Sequence, residues 1–197
     1  MPDLDAAFYF DLASPLAYLA AERILQTLPI RAEWQPVLAR ELPGEETVEA
    51  SRGSAATEVF RAEIEGAASA QNLQPLRWPD PFPFDSALAM RVATYAKSIG
   101  RAVPFAQAAF RQAFAGGRSL ADSDHVLIAA AACEMHPAAV LRAAELRSVA
   151  DQLAAATASA SSAGVSDVPA VVVGEHAFIG ERALEDAAAR MSERLPA

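Results

Sequence analysis

The sequence predicts an α/β fold in which a βαβ start and a ββα end enclose a large all-helical insertion. Three observations predict it. An apolar run, Phe8 to Leu12, meets a Ser-Pro step that opens an amphipathic helix. The middle of the chain carries Ala-rich segments, studded with Arg and Glu, at helical spacing. A second apolar run, Val168 to Val173, returns near the end with a turn behind it. On this reading residues 1–44 and 159–197 form one domain and residues 45–158 form the insertion that interrupts it.

The first strand is Ala6 to Leu12, apolar throughout except Asp11. Ser14-Pro15 then starts a helix to Leu28: Leu16, Leu19, Ala20, Ile24 and Leu28 share one face, Glu22, Arg23 and Gln26 lie elsewhere, and Pro29 stops it. Ile30 to Val37 alternates in polarity and predicts a second strand. From Glu45 to Ala158 the pattern is helical, broken at Pro75 to Pro83, Gly100, Gly116-Gly117 and Pro137. The loop Leu76 to Phe84 holds Pro79, Pro81 and Pro83 with Trp78, Phe82 and Phe84, a composition that suits an apolar pocket wall and equally a packed interhelical strap. Thr157 to Gly164 is compatible with a helix and its C-terminal cap. Val168 to Val173 predicts a buried strand, Gly174-Glu175-His176 a turn, Phe178-Ile179 the return, and Leu184 to Leu195 a final amphipathic helix.

With 197 residues the chain is long enough for one substantial core. Its net charge of −9 lacks the basic face that nucleic-acid binding requires, and Arg77, Arg91, Arg101, Arg111 and Arg118 are mostly explained by solvated helix faces. No apolar run approaches the roughly 18 residues of a membrane span. Met1 to Asp5 is acidic where a secretory leader is basic, so a cytoplasmic protein is expected. The single cysteine, Cys133, excludes an internal disulfide and a multi-cysteine zinc site, and its Ala-rich setting suits a small core residue. His125 and His136 have no metal-ligand spacing with it, and His176 suits an exposed turn; no metal site is expected.

Ser14 is the first chemical candidate. A hydroxyl at a helix start, beside free first-turn amides, can donate to a thiolate, and charge-assisted bonds of about 1.5–3 kcal/mol lower a thiol pKa by roughly one or two units. The same pair, Ser14 and Pro15, also serves as an ordinary cap and first helical residue. Val168-Pro169 is the second candidate: an extended residue before proline can present its backbone to a peptide-like ligand, or be a plain strand-entry step.

Phe8-Tyr9-Phe10-Asp11 with Ser14-Pro15, Phe82-Pro83-Phe84-Asp85 in the insertion, and Val168-Pro169 before the last hairpin resemble the DsbA-like branch of the thioredoxin superfamily. More narrowly, they resemble 2-hydroxychromene-2-carboxylate isomerases and kappa-class glutathione transferases. The resemblance implies a thioredoxin-like fold with the helical insertion, a homodimer, and glutathione or another low-molecular-weight thiol as cofactor. It also implies that Ser14 holds the thiol sulfur, that Pro169 is cis, and that Val168 pairs its backbone with the ligand. A dithiol oxidoreductase would carry Cys-x-x-Cys at this step, where the chain has Ser14 and Ala17.

Pro15, Asp167, Glu181 and Arg182 complete the expected thiol site, and Trp78, Phe82, Phe84 and Asp85 the wall for an aromatic-derived substrate. Departures from the family pattern lie in these groups. Asp167 puts a carboxylate where it opposes a thiolate, Glu181 stands one position before the usual acidic residue, and Asp85 replaces a common Asn, with Arg77 or Arg91 available to offset it. The expected activity is isomerisation by thiol addition, bond rotation and elimination, or conjugation to the thiol. The alternative is a DsbA-like protein without a redox dithiol, acting as a noncatalytic binding protein.

Overall fold

The computed structural model describes residues 5–44 and 54–193. The order of elements is β1 (Ala6–Phe10), α1 (Pro15–Thr27), β2 (Glu33–Pro36), a short 3-10 turn (Ala39–Glu41), α2 (Ser54–Ala70), α3 (Ala87–Ser98), α4 (Ala102–Phe114), α5 (Ser123–Ala131), α6 (Pro137–Glu145), α7 (Arg147–Ser162), β3 (Ala170–Val173), β4 (His176–Ile179) and α8 (Ala183–Ser192). This is the expected βαβ, helical segment, ββα arrangement.

The sheet runs β2-β1-β3-β4, with β1 parallel to β2 and antiparallel to β3, and β3 antiparallel to β4. Phe8 therefore sits between Trp34 on one neighbour and Val171 on the other. Period-two alternation divides the sheet's two faces. Phe8 and Phe10 enter the main core, where Phe8 meets Trp34 edge-on at 5.0 Å and Phe10 meets Phe110 at 5.9 Å. Tyr9 packs against a smaller cluster on the other face, formed by Val37, Leu42, Ala160 and Val168.

The helical segment is built onto the sheet rather than beside it. Tyr18 of α1 stacks on Phe114 of α4 at 5.5 Å, and Arg111 of α4 grips Glu22 of α1 through two bonds of 2.7 Å. On the opposite face, the Leu38 N–H donates to Thr157 Oγ1 of α7 at 3.0 Å, fixing the exit of β2. Burial of these rings in one shared core is the dominant favourable term, at roughly 1.5–3 kcal/mol per large side chain.

Several boundaries differ from the sequence expectation. β2 keeps only Glu33–Pro36 of the alternating stretch, and α1 stops at Thr27 with Leu28 as its extended cap. Helix α7 runs to Ser162 and is followed by Gly164, whose φ of +85° favours glycine, in keeping with the helix and cap read over Thr157 to Gly164. The expected helical start at Glu45 and the expected end of α8 at Leu195 lie outside the described residues, as do Met1 to Leu4. No helix among the described residues is long and apolar enough to cross a membrane.

Candidate active site

Ser14 occupies the turn between β1 and α1. The chain folds back there because the Ser14 N–H donates to the Asp11 carbonyl at 3.0 Å, and Ser14 keeps extended backbone angles (φ −87°, ψ 115°) while Pro15 begins the helix. Its Oγ accepts the Ala17 N–H at 3.2 Å, the bond of an N-cap. The hydroxyl oxygen also lies 3.5 Å from the Val168 carbonyl, an acceptor for its proton. That contact is long for an O–H···O bond, so the proton is readily re-aimed at a better acceptor. Helix α1 directs its positive end at the same point.

Val168 belongs to the loop that faces Ser14. The Val168–Pro169 bond is cis, and Val168 is buried. Its loop is held from both sides: the Gly44 N–H donates to the Ser166 carbonyl at 2.7 Å and the Gly180 N–H to the Pro169 carbonyl at 2.8 Å. Only glycine fits at 44, because a Cβ would stand 2.5 Å from the Ser166 oxygen. Asp167 turns its own carboxylate onto the backbone, with Oδ1 accepting the Val168 N–H at 2.7 Å. Burial pushes the Asp167 carboxyl above its usual range, and that N–H pulls it part of the way back.

Beneath this turn lies Asp11, fully withdrawn from solvent. Its Oδ1 accepts the Ala13 N–H at 2.9 Å, while Oδ2 accepts the Ala39 N–H and the Ser86 hydroxyl, each at 3.0 Å. Burial raises its pKa, opposed by the three hydrogen bonds and by the nearby Arg40 guanidinium. One carboxylate thus ties together the β1–α1 turn, the exit of β2 and the start of α3. Arg40 crosses to Asp85 at 2.6 Å, and the Ala87 N–H together with Arg40 holds the Asp85 carboxyl below its usual range.

These groups enclose a cleft of about 140 Å³. Sites for drug-sized ligands run to roughly 300–1,000 Å³, so the cleft suits the reacting end of a ligand, with the remainder lying on the surface around it. Of the sequence-predicted residues, Ser14, Pro15, Asp167, Val168, Phe84 and Asp85 line this cleft, and Pro169 follows directly behind it. Trp78 and Phe82 are not among its lining residues. They pack against each other at 4.9 Å and against Phe114, with Arg61 over the Trp78 ring and the indole N–H donating to Glu65 at 2.7 Å.

Glu181 and Arg182 line a separate depression with Arg23, Gln71 and Glu185, and Leu16 borders both hollows. Cys133 is buried beyond α5, where burial raises its thiol pKa. No group of three or more potential metal ligands occurs among the described residues.

Sequence reasoning missed Asp11, Arg40, Phe60 and Ser86 as cleft residues. Asp11 did carry a signal: it is the single charge in the apolar run of the first strand, where a charged residue is retained only with partners. Arg40 and Phe60 carry none, because their neighbours across the cleft are remote in sequence.

Residues 6–192 match the profile of the DSBA-like thioredoxin domain. No curated protein matches the sequence. Among solved structures, the chain is similar to a 2-hydroxychromene-2-carboxylate isomerase, with 16% identity, a TM-score of 0.81 and 97% of each chain covered. It is also similar to a probable DsbA oxidoreductase from Streptomyces coelicolor, with 19% identity and a TM-score of 0.80 over 98% of this chain and 92% of that one. A third similar structure is the cytosolic disulfide reductase DsbM from Pseudomonas aeruginosa with GSH, at 12% identity and a TM-score of 0.63, covering 97% and 98%.

Proposed function

Because the chain belongs to the DSBA-like thioredoxin domain family, we propose that it is a thiol-dependent enzyme that holds glutathione or another low-molecular-weight thiol at Ser14 and uses it on an aromatic-derived substrate. The observation that carries this reading is the Ser14 hydroxyl, set at the N-terminus of α1 in the cleft, 3.5 Å from the Val168 carbonyl. Dithiol–disulfide turnover at that turn needs a cysteine pair, and Ser14 and Ala17 cannot form or accept a disulfide. A hydroxyl donor and first-turn amides instead stabilise a ligand's thiolate.

The chemistry follows from that thiolate. Its lone pair forms a C–S bond to an electrophilic carbon of a conjugated substrate, and the double-bond electrons move onto the substrate's carbonyl oxygen. Rotation about the resulting single bond and return of the electrons expel the thiolate, leaving the geometric isomer and regenerating the thiol. Retention of the C–S bond with uptake of a proton gives conjugation instead. Phe84, Pro83 and Phe60 supply apolar cover, and the Arg40–Asp85 pair sits at the polar edge.

Calorimetric titration with glutathione and other small thiols, combined with the ultraviolet absorbance of bound thiolate at neutral pH, tests the reading. Saturable binding with thiolate absorbance, reduced in Ser14→Ala, is the expected result. Absence of binding by any thiol overturns it in favour of a noncatalytic binding protein.

A further inference from the structure

Asp167 is a half-buried carboxylate on the wall of the cleft, and no described basic side chain forms an ion pair with it. The guanidinium that shares the cleft, Arg40, is committed to Asp85 at 2.6 Å. A carboxylate withdrawn from water without a cation is costly, and among the described residues the Val168 N–H at 2.7 Å is its one hydrogen-bond partner. Its electrostatic complement is a positive charge arriving with the ligand.

The position of that charge is set by the backbone. Ser14 Oγ addresses the carbonyl of Val168 and Asp167 Oδ1 addresses the N–H of the same residue. The two groups bracket one residue of chain, which keeps Ser14 Oγ and Asp167 Oδ1 within about 10 Å of each other. A thiol with sulfur and nitrogen on adjacent carbons spans that range with one hydrogen-bond length at each end. The Val168 N–H, in turn, is already taken, so a peptide carbonyl seeking it must displace the carboxylate.

We propose that Asp167 determines which thiol the site accepts: a 2-aminothiol with a free ammonium group, whose sulfur lies at Ser14 and whose nitrogen lies against the Asp167 carboxylate, in preference to thiols whose nitrogen is acylated. This inference rests on the reading that a thiol docks at Ser14. The ammonium offsets the repulsion between Asp167 and the thiolate, so the carboxylate that opposes a neutral thiol's anion favours this class. No covalent change is involved; the thiol proton leaves to solvent and the zwitterion binds.

Four probes separate the possibilities: cysteamine, N-acetylcysteamine, 2-mercaptoethanol and glutathione, titrated into the wild type, Asp167→Asn and Ser14→Ala. Cysteamine is expected to bind the wild type about tenfold or more tightly than N-acetylcysteamine, as one charge-assisted contact implies. In Asp167→Asn that preference is expected to fall to within about threefold while glutathione binding improves. Equal binding of all four probes by the wild type overturns the proposal and leaves the thiol-enzyme reading standing, as does a cysteamine preference that survives in Asp167→Asn. Failure of every thiol to bind overturns both. The comparison of cysteamine with N-acetylcysteamine needs only the wild-type protein, so absence of the preference overturns the proposal even where a variant is poorly folded.

Discussion

The Ser86 hydroxyl donates to Asp11 Oδ2 at 3.0 Å across 75 positions of sequence, joining the start of α3 to the end of β1. The same carboxylate holds two backbone N–H groups, so its removal strands three donors. Each buried donor left unsatisfied costs about 1–3 kcal/mol. Asp11→Ala is expected to lose at least about 3 kcal/mol, Asp11→Asn about 1–3, and Ser86→Ala about 1. Urea unfolding of the three variants checks the order; a Ser86→Ala loss equal to that of Asp11→Ala contradicts the shared node.

Capping and thiol binding by Ser14 can be separated by one substitution. Asp is as good an N-cap as Ser, so Ser14→Asp is expected to stay within about 0.5 kcal/mol of the wild type, whereas Ser14→Ala loses about 1 kcal/mol. Both are expected to lose bound-thiolate absorbance, the first because its carboxylate repels the sulfur anion. Thiolate binding that survives in Ser14→Asp removes the hydroxyl from the site chemistry.

Asp167 supplies a pH dependence whose sign is fixed. Burial raises its folded-state pKa above the ordinary 3.8, so the native protein binds the proton more tightly than the unfolded chain does. The stability this confers is fully present below 3.8 and is lost as pH rises through the raised value. Asp167→Asn, which keeps an oxygen for the Val168 N–H, is expected to gain stability relative to the wild type as pH climbs from about 4 towards neutrality, then to level off. Denaturation curves at a series of pH values measure the difference, in which the contribution of Asp11 cancels.

Two glycines provide opposed outcomes. Gly44→Ala drives a Cβ to 2.5 Å from the Ser166 oxygen and is expected to cost about 1–3 kcal/mol and to weaken thiol binding through the Val168 loop. Gly66 lies within α2 with nothing within 4 Å of an added Cβ, so Gly66→Ala is expected to stabilise by about 0.5–1 kcal/mol. Thermal melts of both, with a thiol titration of Gly44→Ala, test the contrast.

The fold was legible wherever the signal is local. Phe8 to Leu12, the Ser14-Pro15 step and the Val168 to Ile179 hairpin are short-range patterns, and each forms where its pattern lies. The site was legible at its two conspicuous turns, Ser14-Pro15 and Asp167-Val168, and at Phe84-Asp85. Asp11, Arg40 and Ser86 meet through contacts between distant segments, which periodicity does not encode. The composition of the loop that holds Trp78 and Phe82 suits a ligand wall and a packed strap equally, and nothing local separates the two. The structure lays both rings edge-to-face against Phe114, the packing of a strap.

The placement of β1 at the centre of the sheet has a consequence during synthesis. Its parallel partner β2 leaves the ribosome soon after it, but the strand on its other side begins only at Ala170, behind α7. A nascent chain therefore carries β1 with one open edge while every helix from α2 to α7 emerges, and the sheet closes only near the end of translation. Ser14 meets Val168 at that same late moment. A product released before residue 167 lacks the Asp167–Val168 wall, so the cleft is completed only as the last hairpin is made.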